Sequence, residues 1–362
     1  MKAAVMRAVD EPLSVEDIEL ADPGPFEVVV RVAAAGLCHS DVRFMEGAYK
    51  TPLPAVLGHE SAGVVEAVGS SITHVAPGDH VVTCLSVFCG TCSHCTSGRP
   101  NLCGNREATQ RSKDESPRLS ANGAELHQFL NLSSFAEHML VHENALVKVT
   151  DAIPLDRAAL LGCGVTTGLG AAINTAGVRP GEATAIIGCG GVGLSAIQGA
   201  RIAGSSTIIA IDRIDEKLEL AARLGATHTV NAAEEDAALA VSRITAEEGV
   251  DHAFEAIGTT ATAELAFSLL RPGGTATVIG LIPVGEKVSI PGVELLDEKR
   301  LQGSSMGSNR FRVDIPRYVD MYLDGRLNLD DMVTERFELS EINEGFAQMR
   351  TGRVARNVIV LD

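Results

Sequence analysis

No run of about 18 apolar residues occurs anywhere in the 362-residue chain, which leaves no candidate for a membrane-spanning helix. Positive charge is also scarce. Thirty Lys and Arg stand against 47 Asp and Glu, a net charge of −17, and that balance argues against nucleic acid as a partner, because phosphate backbones are bound by clustered cations. The opening MKAAVMRAVDEPLSVEDIEL turns acidic within ten residues and lacks an apolar stretch followed by a small-residue cleavage site. The expectation is a soluble, cytoplasmic protein without a membrane partner. Low-complexity tracts, internal repeats and long linkers are missing too, so the whole chain is expected to fold. Its length exceeds one comfortable core and suits two domains.

Two grammars divide the chain. The first 150 residues read as short valine-rich strands separated by turns, among them EVVVRVAAAG, GVVEAVG and DHVVTC, which predicts an irregular, barrel-like β domain. From about residue 155, strands such as TAIIG, STIIAID, HAFEAIG and ATVIGL alternate with helical stretches such as DEKLELAARLG. That alternation predicts an α/β doubly wound parallel sheet. After about 305 come a helical IPRYVDMYLDG and a closing strand RNVIVLD, which are expected to return to the first domain.

Four of the eight cysteines fall within CGTCSHCTSGRPNLC: Cys89, Cys92, Cys95 and Cys103. In a reducing compartment such a cluster reads as a metal site before it reads as disulfides, and four thiolates at these short steps suit tetrahedral zinc. An iron–sulfur cluster or redox thiols are the alternatives. A site closed by four cysteines has no open position for a substrate, so its role is structural.

The run AIIGCGGVG supplies Gly188, Gly190 and Gly193 in G-x-G-x-x-G order, with Gly191 and Val192 inside the motif, after an apolar strand and before a helical pattern. Glycine permits the tight turn, the approach of a pyrophosphate and close helix packing. The next strand ends at Asp212, 19 residues after Gly193, where a carboxylate can accept from the adenosine ribose hydroxyls and repel a 2′-phosphate. NAD is therefore favoured over NADP, with Arg213 beside the acid as the one contrary sign. The competing reading is glycines that merely pack a strand on a helix.

Outside the cluster lie Cys38 in GLCHSD, His59 and Glu60 in GHE, and Cys163 in GCGVTTG. Two thiolates and an imidazole fill three corners of a zinc tetrahedron and leave the fourth for water or substrate, the pattern of a catalytic site. Taken singly, Cys38 and Cys163 read as small buried core residues and His59 as a hydrogen-bonded core group rather than as ligands; it is their combination that points to a metal. A zinc there would lower the pKa of a bound alcohol, and the alkoxide would expel a hydride onto a nicotinamide ring.

With GLCHSD, GHESAGVVEAVG, the four-cysteine run, GCGVTTG, GCGGVG with Asp212, and EGF…GRVARNVIVLD in order along the chain, the sequence resembles the zinc-dependent medium-chain alcohol dehydrogenases. The resemblance implies a GroES-like catalytic domain over 1–163 and 306–362 and a Rossmann NAD-binding domain over 164–305. It implies two zincs per chain, a catalytic one on Cys38, His59 and Cys163 and a structural one on the four clustered cysteines. Glu60 and Asp41 would lie behind the ligands, Asp41 orienting His59, and Ser40 would take the alcohol proton. The cofactor would touch the glycine loop, Asp212, Lys217, His39 and Arg356 towards the pyrophosphate, and Thr167 and Val192 at the nicotinamide. Leu85, Leu102, Leu130 and Leu281 would line the substrate pocket, with Tyr49 at its mouth. The long segment 104–134 resembles the lobe of the dimeric branch, implying a homodimer.

Departures from the family pattern bear on mechanism. Where many members carry a proton-relaying histidine, this chain has Arg43, a poor relay, so His39 or water is the expected exit. Tyr49 and Glu107 stand where glutathione-adduct enzymes carry an acid and an arginine, so another substrate is expected. Leucines in place of bulky aromatics widen the pocket for medium-length, branched or aryl alcohols. The reading is thus reversible oxidation of primary or secondary alcohols to aldehydes or ketones, with alcohols and aldehydes as partners. Alternatives are a polyol or sugar dehydrogenase of the same superfamily, or a non-catalytic NAD-binding relative. Cys84 and Cys189 are assigned packing roles only.

Overall fold

The structure, a computed structural model, describes residues 1–361. The chain divides into two compact units: Met1–Cys163 with Arg310–Gly352 and the stretch from Arg356, and Gly164–Asn309 with Arg353–Ala355. The return to the first unit thus falls at Arg310 rather than at 306. The reason is local: the turn Met306–Ser308 packs tightly on the helix Gly164–Gly170, so that a Cβ on Gly170 would stand 2.3 Å from the Gly307 carbonyl oxygen.

The first unit is built on the strand Glu27–Gly36. Its valines alternate faces, yet Val28, Val30 and Val32 and also Ala34 and Ala35 are all essentially inaccessible, as a strand covered on both sides requires. It pairs antiparallel with Ser61–Val68, His138–His142 and the C-terminal strand Arg356–Val360, in a seven-stranded sheet. Register shifts at Val29/Val30 and Val32/Ala34 mark bulges, which curl the sheet as expected for a barrel-like domain. A six-stranded sheet includes Lys2–Met6 and the hairpin Leu119–Ala121 with Ala124–Gln128.

The second unit is an α/β layer with a six-stranded parallel sheet in the order His228–Asn231, Thr207–Asp212, Ala183–Ile187, Val250–Glu255, Leu270–Val278 and Arg300–Gly303. Strand order reverses at Ala183–Ile187, whose neighbours are the next strand on one side and Val250–Glu255 on the other. That switch point is where open α/β sheets take their ligands, and the glycine loop follows it directly. Ile187, Ile209, Ile211, Ala253 and Phe267 form its core. Among the described residues no helix is long and apolar enough to cross a membrane.

Candidate functional site

In the first unit, Cys38 precedes the helix His39–Met45, His59 follows Gly58, and Cys163 ends the run after the helix Leu155–Leu160. Gly58 has φ +92° and a Cβ there would stand 2.6 Å from Ser134 Oγ, so only glycine lets the chain turn into His59. These three residues, far apart in sequence, meet: their ligand atoms lie within 4.8 Å of one another, and all three side chains are buried.

Asp41 Oδ1 accepts from His59 Nδ1 at 3.0 Å, and Asp41 Oδ2 accepts from the Cys38 backbone N–H at 3.2 Å. The carboxylate thereby fixes the tautomer and leaves Nε2 as the free lone pair. That Nε2 is buried and has no hydrogen-bond partner. An orphaned imidazole nitrogen beside two thiols fits a metal ion.

The hydrogen bond from Cys163 holds the Cys38 thiol well below its ordinary pKa, against burial and with help from His59 and Arg356. The same contact, with burial, holds Cys163 well above its own. Burial opposes protonation of His59, but Asp41 beside it raises its pKa well above the ordinary value. Glu60, fully buried, faces Arg356, whose Nη1 lies 3.7 Å from Glu60 Oε2 and donates to the Leu37 carbonyl at 3.3 Å. Arg356 is 4 % exposed, beside Glu60 and close enough to the two thiols for its charge to act on both. Ser40 Oγ lies 3.6 Å from Cys38 Sγ, and His39 is exposed at the start of the helix.

The four-cysteine run forms a second cluster around the short helix Ser93–Thr96. Sulfur–sulfur separations are 4.0 Å for Cys89–Cys95, 3.5 Å for Cys92–Cys95 and 3.9 Å for Cys92–Cys103. A Zn–S bond of about 2.3 Å puts tetrahedral sulfurs about 3.8 Å apart, so the set fits zinc. The Thr91 hydroxyl and the backbone N–H groups of Thr91 and Cys92 donate to Cys89 Sγ and hold that thiol down to about 6. All eight cysteines are free. Burial pushes the Cys84 thiol up to about 11 and raises Cys189 further, as inert packing groups.

In the second unit the loop between Ala183–Ile187 and the helix Gly191–Ala203 is built as its glycines demand. Gly188 has φ +94°, and a Cβ on Gly193 would lie 1.7 Å from the Gly188 carbonyl oxygen. At Gly190, by contrast, the position of a Cβ is open, which is the space a pyrophosphate needs at a helix N-terminus. Asp212 Oδ2 accepts from the Cys189 N–H at 2.7 Å, tying the acid to the loop. Val192 and Lys217 are half-buried and Arg213 is exposed. Thr167 donates to Met306 Sδ at 3.3 Å.

Leu85, Leu102, Leu130 and Tyr49 are half-buried members of the ligand-bearing unit, whereas Leu281 lies in the other unit, 47 % exposed. Two residues escaped the sequence reading. Phe129 stands edge-on to His59, ring centroids 5.9 Å apart, and to Phe44 at 4.8 Å, while Phe44 packs on Tyr49 at 5.6 Å. The signal for Phe129 was present in FLNLSS, next to Leu130, but nothing in the residue types marks it as a neighbour of His59.

Comparison with known proteins agrees with this construction. Residues 24–151 match the alcohol dehydrogenase GroES-like domain and 191–322 the zinc-binding dehydrogenase family. The chain is 39 % identical to an NDMA-dependent alcohol dehydrogenase of Amycolatopsis methanolica, covering 99 % of this chain and 98 % of that one. It is 37 % identical to alcohol dehydrogenase 1 of Pisum sativum, over 100 % and 97 %. The solved benzyl alcohol dehydrogenase of Acinetobacter calcoaceticus superposes with a TM-score of 0.94 at 34 % identity, covering 100 % and 99 %. A zinc-binding alcohol dehydrogenase domain protein of Burkholderia ambifaria gives 0.95 at 40 %, over 100 % and 98 %. The chain belongs to the zinc-dependent medium-chain alcohol dehydrogenase family.

Proposed function

We propose that this protein oxidises primary and secondary alcohols of medium length, branched or aryl, reversibly to aldehydes and ketones, with NAD as hydride acceptor. The observation that carries the proposal is the meeting of Cys38, His59 and Cys163 around an orphaned His59 Nε2. These three would hold a zinc with one open position, and Cys89, Cys92, Cys95 and Cys103 a second zinc of structural role. When bound, the first zinc acidifies an alcohol hydroxyl and the nicotinamide takes the hydride.

The chain's own residues do the rest. Asp41 orients His59, Ser40 takes the alcohol proton, and Glu60 with Arg356 balances charge behind the thiolates. The glycine loop, Val192, Asp212, Lys217, Thr167, His39 and Arg356 bind the dinucleotide. Leu85, Leu102, Leu130, Leu281 and Tyr49 form an aliphatic pocket. Cysteine as third ligand, together with these leucines, disfavours the polyol reading. The GroES-like unit is assigned 1–163 plus the C-terminal return, and the Rossmann unit the residues between.

A homodimer belongs to the proposal. Arg300–Gly303 is an edge strand, and Val284, Val293, Leu295 and Leu296 before it are exposed, an apolar edge that a second copy would cover. A cytoplasmic location suits eight free cysteines.

The test combines metal analysis, expected to find two zincs per chain, with NAD and NADP reduction across an alcohol panel. Catalytic efficiency should rise from ethanol to hexanol and benzyl alcohol; a fall along that series would refute the pocket assignment. The name of the Amycolatopsis relative favours a second reading, hydride delivery to an external acceptor. Turnover with NDMA in the absence of added NAD would establish it.

A further inference from the structure

The turn Phe129–Ser133 carries three non-glycine residues in left-handed backbone: Leu130 with φ +50°, Asn131 with +61° and Ser133 with +65°. L side chains avoid that region, and runs of such residues persist only where their surroundings hold them. What holds this one is visible. The Ser133 hydroxyl, 1 % exposed, accepts from the Phe129 N–H at 2.8 Å and donates to the Val56 carbonyl at 2.7 Å. Gln128 Nε2 adds bonds to the Leu132 and Leu140 carbonyls at 3.1 and 2.9 Å.

Beyond the turn, the Ser134 and Phe135 N–H groups donate to the Gly58 and Leu57 carbonyls, each at 3.1 Å. The segment is therefore fastened to residues 56–58, immediately before His59. Ser133 is the one side chain in the turn that joins both sides, its beginning at Phe129 and its docking strand at Val56. Phe129, whose backbone it grips, is the ring that stands edge-on to His59 at 67°.

We propose that Ser133 is a positioning residue: by pinning the strained turn 129–133 it holds Phe129 against His59 and so sets which alcohols the site accepts. This rests on the reading of Cys38, His59 and Cys163 as the alcohol site. Loss of the hydroxyl frees the turn to leave left-handed backbone, and Phe129 and Leu130 move together. The pocket changes shape while all three ligands remain.

The test uses Ser133→Ala and Ser133→Gly in the full-length, metal-loaded protein. Both remove the hydroxyl, but glycine accepts φ +65° without strain and so protects against simple misfolding. Two readouts are taken: kcat and KM for ethanol, hexanol and benzyl alcohol, and the visible bands of cobalt(II) placed on Cys38, His59 and Cys163. The expected result is a change of about fivefold or more in the benzyl-to-ethanol ratio of kcat/KM, carried by KM, together with shifted cobalt bands. A folded Ser133→Gly protein with unchanged ratio and unchanged bands overturns the proposal, since a merely structural serine would lower the unfolding temperature alone. If the unsubstituted protein oxidises no alcohol, the alcohol-site reading falls and the bands alone decide: shifted bands support the positioning role, and unmoved bands overturn it.

Discussion

Glu27 opens the central strand of the first unit and is 5 % exposed. Its carboxylate receives Arg118 Nε at 2.7 Å, Arg111 Nη2 at 2.5 Å and the Gly24 N–H at 2.8 Å. Burial pushes its pKa up, but Arg111, Gly24 and Arg118 together hold it down at about 2, against an ordinary 4.5. Arg118, 7 % exposed, also donates to the Thr109 carbonyl and to Gln128, so the trio anchors the polar segment 109–118 to the sheet. Glu27→Gln keeps the shape and removes the charge. Holding a buried carboxyl that far below its ordinary value is worth about 3 kcal/mol, and breaking a buried pair by removing one partner costs ~3–5 kcal/mol. About 3 kcal/mol of lost stability is expected in urea unfolding of the zinc-loaded protein at pH 7. Because the folded pKa is depressed, this contribution is complete above 4.5 and is lost as pH falls towards 2. The gap between wild type and Glu27→Gln should therefore narrow by about 1 kcal/mol between pH 6 and pH 4. A gap under about 1 kcal/mol at pH 7, or one that widens on acidification, would refute the reasoning.

Further substitutions probe the site directly. Asp41→Asn removes the charge behind His59 Nδ1 and should weaken zinc at the three-ligand site by about 10–100-fold, read as zinc retention against a chelator; unchanged retention would sink the orienting role. Asp212→Gly should reduce NAD efficiency by roughly tenfold or more and raise the NADP-to-NAD ratio, since the repulsion of a 2′-phosphate goes with the acid. A ratio that stays put in steady-state kinetics would remove Asp212 as the discriminator. His39→Gln should shift the pH profile of hydride transfer if the proton leaves through His39, Arg43 being unable to relay it; an unmoved profile assigns the exit to water.

Features written in short, local patterns were legible in the sequence. The valine run Glu27–Gly36 became a strand with those same ends, and the glycine loop sits between strand and helix as its spacing requires. The four cysteines needed only a few turns of chain to meet. Other features depend on tertiary contact. The contacts of Arg356 with Glu60 and Leu37, some 300 residues away in sequence, carry no local signature. The hairpin at residues 119–128, inside the segment taken only as a lobe, had a local signal too: Asn122 and Gly123, with φ of +51° and +77°, form a dipeptide that favours a tight turn between strands. Left-handed backbone at Leu130 has no signature in residue type, because leucine is the wrong residue for it.

The pairing of Val358 with Gly36, and the grip of Arg356 on Leu37, also set an order of events during synthesis. Cys38, His59 and Cys163 all leave the ribosome before the strand Arg356–Val360, and the whole parallel sheet of the second unit is made in between. The first unit can therefore reach its final form only after the parallel sheet of the second unit has been made. A nascent chain stalled before residue 356 would present Glu60 without its guanidinium partner and the central strand with an open edge, a state suited to chaperone capture rather than to metal loading.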